Sequence, residues 1–93
     1  MKRPAFQFYP ADYRKDPALA SCSLAARGLW VELLCVMHES DCYGVLVVNG
    51  RAMDGKQIAR LVGESPATVS KLLAELEAAG VPSRNADGAL YSR

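Results

Sequence analysis

The chain has 93 residues, a size that supports one domain with a single modest hydrophobic core. Apolar residues make up 51% of it and charged residues 23%, a balance that excludes a disordered chain. The formal net charge is +1, whereas DNA-binding domains usually carry a clear basic excess. The apolar runs are too short to cross a membrane, and the N-terminus lacks the apolar block of a secretion signal. We therefore expect a cytoplasmic protein of bacterial type.

Residues 1–20 form a predicted N-terminal arm. Pro10 and Pro17 exclude one long helix, and we expect one helical turn near residues 10–15. The arm is too aromatic for a solvated tail, so we predict that it packs across the domain or against a partner. A stacking platform for single-stranded bases is the alternative. The aromatic residues are Phe6, Phe8, Tyr9 and Tyr13.

Residues 21–40 predict the first long helix, with Ser23 as its N-cap. The helix is apolar over much of its circumference, which favours burial on more than one side and a homodimer contact that includes Trp30. Gly28 either marks the close approach of another element or is simply tolerated. The predicted core stripe consists of Ala26, Trp30, Leu33, Leu34 and Met37.

A short β-branched run at 45–48 predicts one strand, followed by a turn at Asn49 and Gly50. The next three residues are too short to predict a return strand with certainty. Near the C-terminus, Asp87 and Gly88 lie between two short segments and predict a β-hairpin.

Two further helices are predicted between these strands. The first begins at a capping box over 54–57 and ends at Gly63. The second begins at Ser65 and Pro66, as N-cap and first helical residue, and ends at Gly80. The element order predicts a mainly α fold with a small β-sheet, specifically a winged helix-turn-helix over 21–93. Its three-helix core would carry a C-terminal hairpin wing, and the strand at 45–48 would join that hairpin as a third strand.

A helix-turn-helix needs a small residue where its helices cross, a positive φ in the turn and apolar residues that lock the helices together. Ala59 and Gly63 meet the first two needs, and the predicted lock consists of Ile58, Leu61, Val62, Val69 and Leu72. In a DNA reader, the start of the second helix of the motif enters the major groove. The candidate DNA contacts are Lys56, Arg60, Ala67, Thr68, Ser70, Lys71, Arg84 and Asn85.

This set of candidate contacts gives weak support for DNA binding, because acidic residues lie close to it at Glu64, Glu75 and Glu77. A solvated surface is the alternative interpretation for each charged residue. Nothing in the sequence resembles a catalytic motif, so we expect no enzyme, no cofactor and no small-molecule substrate.

The three cysteines are Cys22, Cys35 and Cys42. A zinc site could be drawn from Cys35, His38 and Cys42, but structural zinc usually takes four ligands in tight pairs. We therefore predict buried free thiols and no metal.

Three stretches resemble a known family: KRPAFQFYPADYRKDPAL at 2–19, CSLAARGLWVELLCVMHES at 22–40 and YGVLVVNG at 43–50. They are similar to the N-terminal winged-helix domains of phage replication initiators and of DnaD-like replisome organisers. The resemblance implies a role in phage or prophage DNA replication, with origin or single-strand binding and helicase recruitment. In such proteins a variable C-terminal region commonly follows. Because this sequence stops at residue 93, we expect either one domain of a longer protein or a stand-alone module.

Three functions remain open at this point. The first is a winged-helix domain of a replication protein that binds double- or single-stranded DNA. The second is a winged helix used for homodimerisation or protein docking, for example to a replicative helicase. The third is a small prophage transcriptional regulator.

Overall fold

The computed structural model describes residues 9–40, 44–48 and 50–92. Within these ranges the chain is mainly helical, with two small antiparallel sheets. The helices are α1 (Pro10–Lys15), α2 (Pro17–Ala20), α3 (Leu24–Glu39), α4 (Gly55–Val62) and α5 (Pro66–Ala78). The strands are β1 (Val47–Val48), β2 (Arg51–Ala52), β3 (Pro82–Arg84) and β4 (Leu90–Ser92).

The prolines of the N-terminal arm begin two short helices. Pro10 and Pro17 occupy first-turn positions, where a missing backbone N–H costs nothing. Asp16 separates the helices: its backbone is extended, and its carboxylate accepts from the amides of Ala18 at 2.9 Å and Leu19 at 3.3 Å. The predicted turn near 10–15 is confirmed, whereas α2 was not predicted. Leu19 anchors this part of the arm because it is buried in the core.

Helix α3 places its predicted stripe against the rest of the domain. Ser23 caps it as predicted, accepting from the amide of Ala26 at 3.1 Å. Leu34, predicted for the stripe, is half-buried and packs at the edge of the core. The buried residues are Ala26, Leu29, Trp30, Leu33 and Met37.

The opposite face of α3 is apolar but uncovered by the described residues. Leu24 is 76% exposed, and Val31 and Cys35 are also exposed. Gly28 lies on the same face, and a Cβ added there would meet nothing within 4 Å. Of the two interpretations of Gly28, the described residues favour a tolerated glycine over a close approach, and they do not bury the helix on a second side.

Helix α4 begins and ends as predicted. Asp54 and Gln57 form the full capping box, with reciprocal amide-to-side-chain distances of 2.9 and 2.8 Å. The helix ends at Gly63, whose φ of 74° is the left-handed conformation that glycine adopts without strain. Ala59 is buried beneath this turn, consistent with the need for a small side chain where α4 meets α5.

Helix α5 follows after three residues. Ser65 caps it by accepting from the amide of Thr68 at 3.2 Å, and Pro66 is the first helical residue. Gly80, with a φ of 77°, lies just past the helix end as predicted. Val69, Leu73 and Leu76 are buried and pack α5 against the other helices.

The strands differ from the sequence-based expectation in two respects. A return strand does form after the first turn: Val47 pairs with Ala52 and Val48 with Arg51. The strand thus pairs with the segment that follows it in the sequence. The hydroxyl of Ser40 also donates to the C=O of Val47 and accepts from its N–H.

The C-terminal hairpin is confirmed, with β3 and β4 antiparallel across the predicted turn. The expected three-stranded sheet is wrong for the described residues. The two hairpins are separate sheets, joined by a bridge between Val45 and Tyr91 and by the amide of Leu46 donating to Leu90 O at 2.8 Å.

The helices and the C-terminal hairpin enclose one core, to which Ile58 and Leu90 also belong. Leu61, predicted for the lock between α4 and α5, is instead 56% exposed. Cys22 is buried as predicted and Cys35 is not, while Cys42 lies outside the described residues. Among the described helices, none has the length and apolar content needed to span a membrane.

Candidate nucleic-acid interface

Helix α4 carries two exposed basic residues. Lys56 and Arg60 are four positions apart and lie on one side of the helix, away from buried Ile58 and Ala59. Neither side chain forms an ion pair with a described carboxylate. Both cations are therefore available to a phosphate backbone.

The solvent-exposed face of α5 carries mostly small side chains and a single charge. Ala67, Ser70 and Lys71 are exposed, on the side opposite buried Val69. Ala74 extends this face by one more turn and was missed from the sequence. The spacing 67, 71, 74 marks one helical face and could have identified it, but an alanine gives no chemical signal.

Thr68 lies to one side of this face. It is half-buried and lines a groove of about 300 Å³ between α3 and α5, together with Leu29 and Glu32. Its Oγ1 accepts a hydrogen bond from Ser65 Oγ at 2.9 Å. Thr68 is thus part of the cap of α5, and its predicted role in reading a base is not favoured by this placement.

Arg84 is held by its own domain. Its guanidinium forms two hydrogen bonds with the Glu77 carboxylate, at 2.7 and 3.3 Å, and donates to Gly88 O at 2.7 Å. These bonds fasten the C-terminal hairpin to the end of α5. A contact from Arg84 to DNA would have to compete with this ion pair.

Asn85 shapes the tip of the same hairpin. Its Oδ1 accepts from the amides of Asp87 and Ala89, each at 3.0 Å. A side chain that organises a turn in this way has a conformational role, which accounts for an asparagine at this position without DNA.

The acidic residues near α5 are mostly engaged. Glu75 accepts from both the amide and the hydroxyl of Ser23, the latter at 2.9 Å, and Glu77 pairs with Arg84. Glu64 accepts from the amide of Ser65 at 3.1 Å. Arg84 offsets the charge of Glu77, whereas the neutral donors to Glu64 and Glu75 orient those carboxylates without neutralising them.

The predicted interface residues do not share one surface. Trp30 is 4% exposed and belongs to the core of its own chain, so it offers almost no surface to a partner. Tyr13 is half-buried against that core, whereas Tyr9 is 57% exposed. Phe6 and Phe8 lie outside the described residues.

A metal centre is not found in the part of the chain that the structure describes, where no three His, Cys, Asp or Glu side chains cluster suitably. No protein-family model, curated protein or solved structure matches this sequence. The geometry of the α4–α5 surface and the chemistry of its side chains are therefore the basis for a functional assignment.

Proposed function

We propose that residues 21–93 form a winged-helix domain that binds double-stranded DNA through the exposed face of α5. The observation that supports this proposal is the smooth outward face of α5 beside three exposed cations that form no ion pair with the described residues. Those cations are Lys56, Arg60 and Lys71. The left-handed turn at Gly63 and the C-terminal hairpin agree with the layout of a winged helix.

Small side chains favour close approach of α5 to a groove. The major groove of B-DNA is about 12 Å wide and admits one helix, and Ala67, Ser70 and Ala74 keep this helix slim on its outer side. Lys71 then reaches a guanine edge or a phosphate, while Lys56 and Arg60 contact the backbone. Base discrimination by this face is modest, because few of its side chains can bond a base edge.

The C-terminal hairpin contributes to the proposed DNA-binding surface mainly through its position. Glu77 lies six residues beyond Lys71, so the Arg84–Glu77 pair places the hairpin about 9 Å farther along the axis of α5. While Arg84 stays paired, the wing adds shape rather than charge to the DNA-facing surface. Three free cations then provide most of the electrostatic attraction.

A titration of the chain with short duplex and single-stranded DNA, followed by fluorescence anisotropy at several salt concentrations, tests this proposal. Three phosphate contacts correspond to a slope of about −3 in log K against log salt on duplex DNA. We expect duplex DNA to bind more tightly than single-stranded DNA, since α5 fits a groove. Absence of binding at low salt would reject the DNA-binding role for this chain.

We further propose that the domain serves a replication-associated protein of a phage or prophage, in the cytoplasm of the bacterial host. The support is the resemblance of the arm and of α3 to replication initiators and replisome organisers. A replicative helicase is the protein partner that this role implies. A transcriptional regulator would use the same α5 surface, and whether a helicase gene or a repressor gene lies adjacent in the genome would distinguish the two.

Self-association is a second candidate function, and one observation favours it. Leu24, Val31 and Cys35 form an exposed apolar strip along α3, with Gly28 between them offering no steric hindrance. The spacing 24, 28, 31, 35 matches the seam of a two-helix coiled coil. We propose that a homodimer packs α3 against α3, in place of the interface first expected around Trp30.

A further inference from the structure

A second cavity lies between the N-terminal helices and α3, away from the proposed DNA surface. Its volume is about 330 Å³, and the guanidinium-bearing residues Arg14 and Arg27 both line it. Tyr13, Leu19 and Ala20 complete the lining. Two arginines on one small cavity repel each other unless an anion lies between them.

Arg27 also carries an unsatisfied polar group. Its Nε is buried and has no hydrogen-bond partner among the described residues. A buried N–H without an acceptor costs free energy, so native proteins almost always supply one from the chain, a water or a ligand. The Nε–H of Arg27 therefore calls for an acceptor that the described residues do not provide.

Acidic side chains do not neutralise the two arginines. Neither Arg14 nor Arg27 forms an ion pair with a described carboxylate. Asp16, which separates α1 from α2, directs its carboxylate to the amides of Ala18 and Leu19. Within the described ranges, the two arginines therefore carry their charge without an ion-pair partner.

The cavity and the groove between α3 and α5 lie on opposite flanks of α3. Ala25 and Glu32 line the groove next to α5, whereas Arg27 lines the cavity. Ala25 and Arg27 are two residues apart, which is about 200° around a helix with 3.6 residues per turn. A duplex lying on α5 would not reach the arginine cavity.

We propose that this cavity binds a phosphate group. The planar guanidinium of arginine offers parallel N–H donors that match the oxygens of a phosphate, and its Nε–H takes part in that arrangement. The volume accommodates the phosphate together with part of an attached group. The source is either free phosphate or the phosphate of a nucleotide, and the same two arginines would hold both.

An NMR titration with inorganic phosphate at constant pH tests the proposal, with sodium chloride at equal ionic strength as the reference. We expect saturable shifts of the Arg27 Nε–H signal and of the amides of Tyr13 and Ala20. Arg27→Gln and Arg14→Gln should each weaken phosphate binding about tenfold or more, because each removes a charge-assisted hydrogen bond.

Arg51→Gln is the matched control, since Arg51 is exposed on β2 and makes the same change in net charge. It should leave the phosphate affinity unchanged. Shifts that are identical in chloride, or an equal loss of affinity in Arg51→Gln, would overturn the proposal.

A second titration compares a nucleoside 5′-monophosphate with the nucleoside alone. Tighter binding of the monophosphate than of inorganic phosphate assigns the site to nucleotides, and equal binding assigns it to free phosphate. Equal binding of the nucleoside would contradict a phosphate site.

Two further measurements distinguish failure of the phosphate-site proposal from failure of the DNA-binding proposal. Without phosphate, Arg27→Gln should unfold at no lower denaturant concentration than the wild type, because it removes a buried unsatisfied group. It should also keep the wild-type affinity for duplex DNA. The cavity can thus be rejected while the DNA-binding proposal stands, and the reverse also holds.

Discussion

At the scale of single residues, the candidate DNA contacts fall into two groups. Some form hydrogen bonds that stabilise the fold, and others project into solvent. Arg84 and Asn85 hold the hairpin in place, and Thr68 belongs to a helix cap. Lys71 projects from the outer face of α5 without a described ion-pair partner. Among the basic side chains of the helix proposed to enter DNA, Lys71 is therefore the direct test.

Lys71→Ala should weaken duplex binding severalfold and reduce the slope of log K against log salt by about one, because one phosphate contact is lost. Anisotropy titrations at three salt concentrations measure both quantities. Lys15→Ala removes the same charge from α1 and should leave both nearly unchanged. Equal effects of the two substitutions would indicate nonspecific attraction and contradict docking through α5.

Glu77→Gln tests whether the ion pair restrains Arg84. Both side chains are partly exposed, so losing the pair should lower the free energy of unfolding by about 0.2–1 kcal/mol. The same substitution releases the guanidinium and removes a negative charge beside the DNA surface, so duplex affinity should rise. Denaturant unfolding and anisotropy measure the two effects.

Glu39→Gln is the charge-matched control for this experiment, because Glu39 is exposed at the end of α3. It should raise the duplex affinity less than Glu77→Gln does. If the two substitutions change the affinity equally, release of Arg84 contributes nothing.

At the scale of elements, local chemistry determines where the helices begin and end. The capping box at 54–57, the Ser65 and Pro66 pair, and glycines at positive φ all act within a few residues. For this reason they could be predicted from the sequence. The β3–β4 hairpin was predicted for the same reason, whereas the pairing of the 45–48 segment depends on partners outside it, such as Ser40 and Leu90, and was predicted wrongly.

Ser65→Ala should lower the free energy of unfolding by about 1 kcal/mol, since the first turn of α5 loses its capping acceptor. Chemical denaturation followed by circular dichroism measures the change. Ser70→Ala deletes the same hydroxyl from an exposed mid-helix position and should be neutral or slightly stabilising. Equal destabilisation by both substitutions would contradict the role of the cap.

Leu24→Glu tests the proposed homodimer through α3. The side chain is largely exposed and an acid is favourable in the first helical turn, so the monomer should fold normally. Analytical ultracentrifugation should show a dimer for the wild type and a monomer for the variant, because the charge would be buried in the apolar contact.

Leu61→Glu provides the comparison, because Leu61 is a similarly exposed leucine on α4. It should remain dimeric. A monomeric wild type at high concentration would reject the dimer itself.

At the scale of the whole molecule, a net charge of +1 conceals an uneven distribution. Acidic side chains are engaged near α5, while two arginines line one cavity on the far flank of α3. Composition could predict neither arrangement, because both depend on which side of a helix each residue occupies after folding. Trp30 was predicted both for the core stripe and for an interface, and the folded chain buries it in the core, which an apolar helix with two candidate faces does not reveal.

The contact between Ser23 and Glu75 connects the two helices to which separate roles are assigned. Ser23 caps α3, and the Glu75 carboxylate from the middle of α5 accepts its amide and hydroxyl hydrogens. This contact therefore links α3, the proposed dimer helix, to α5, the helix proposed to enter DNA. The two residues that form it are 52 positions apart in the chain. If self-association shifts α3 relative to α5, it would change the affinity of α5 for DNA, and by reciprocity DNA on α5 would alter self-association by the same free energy.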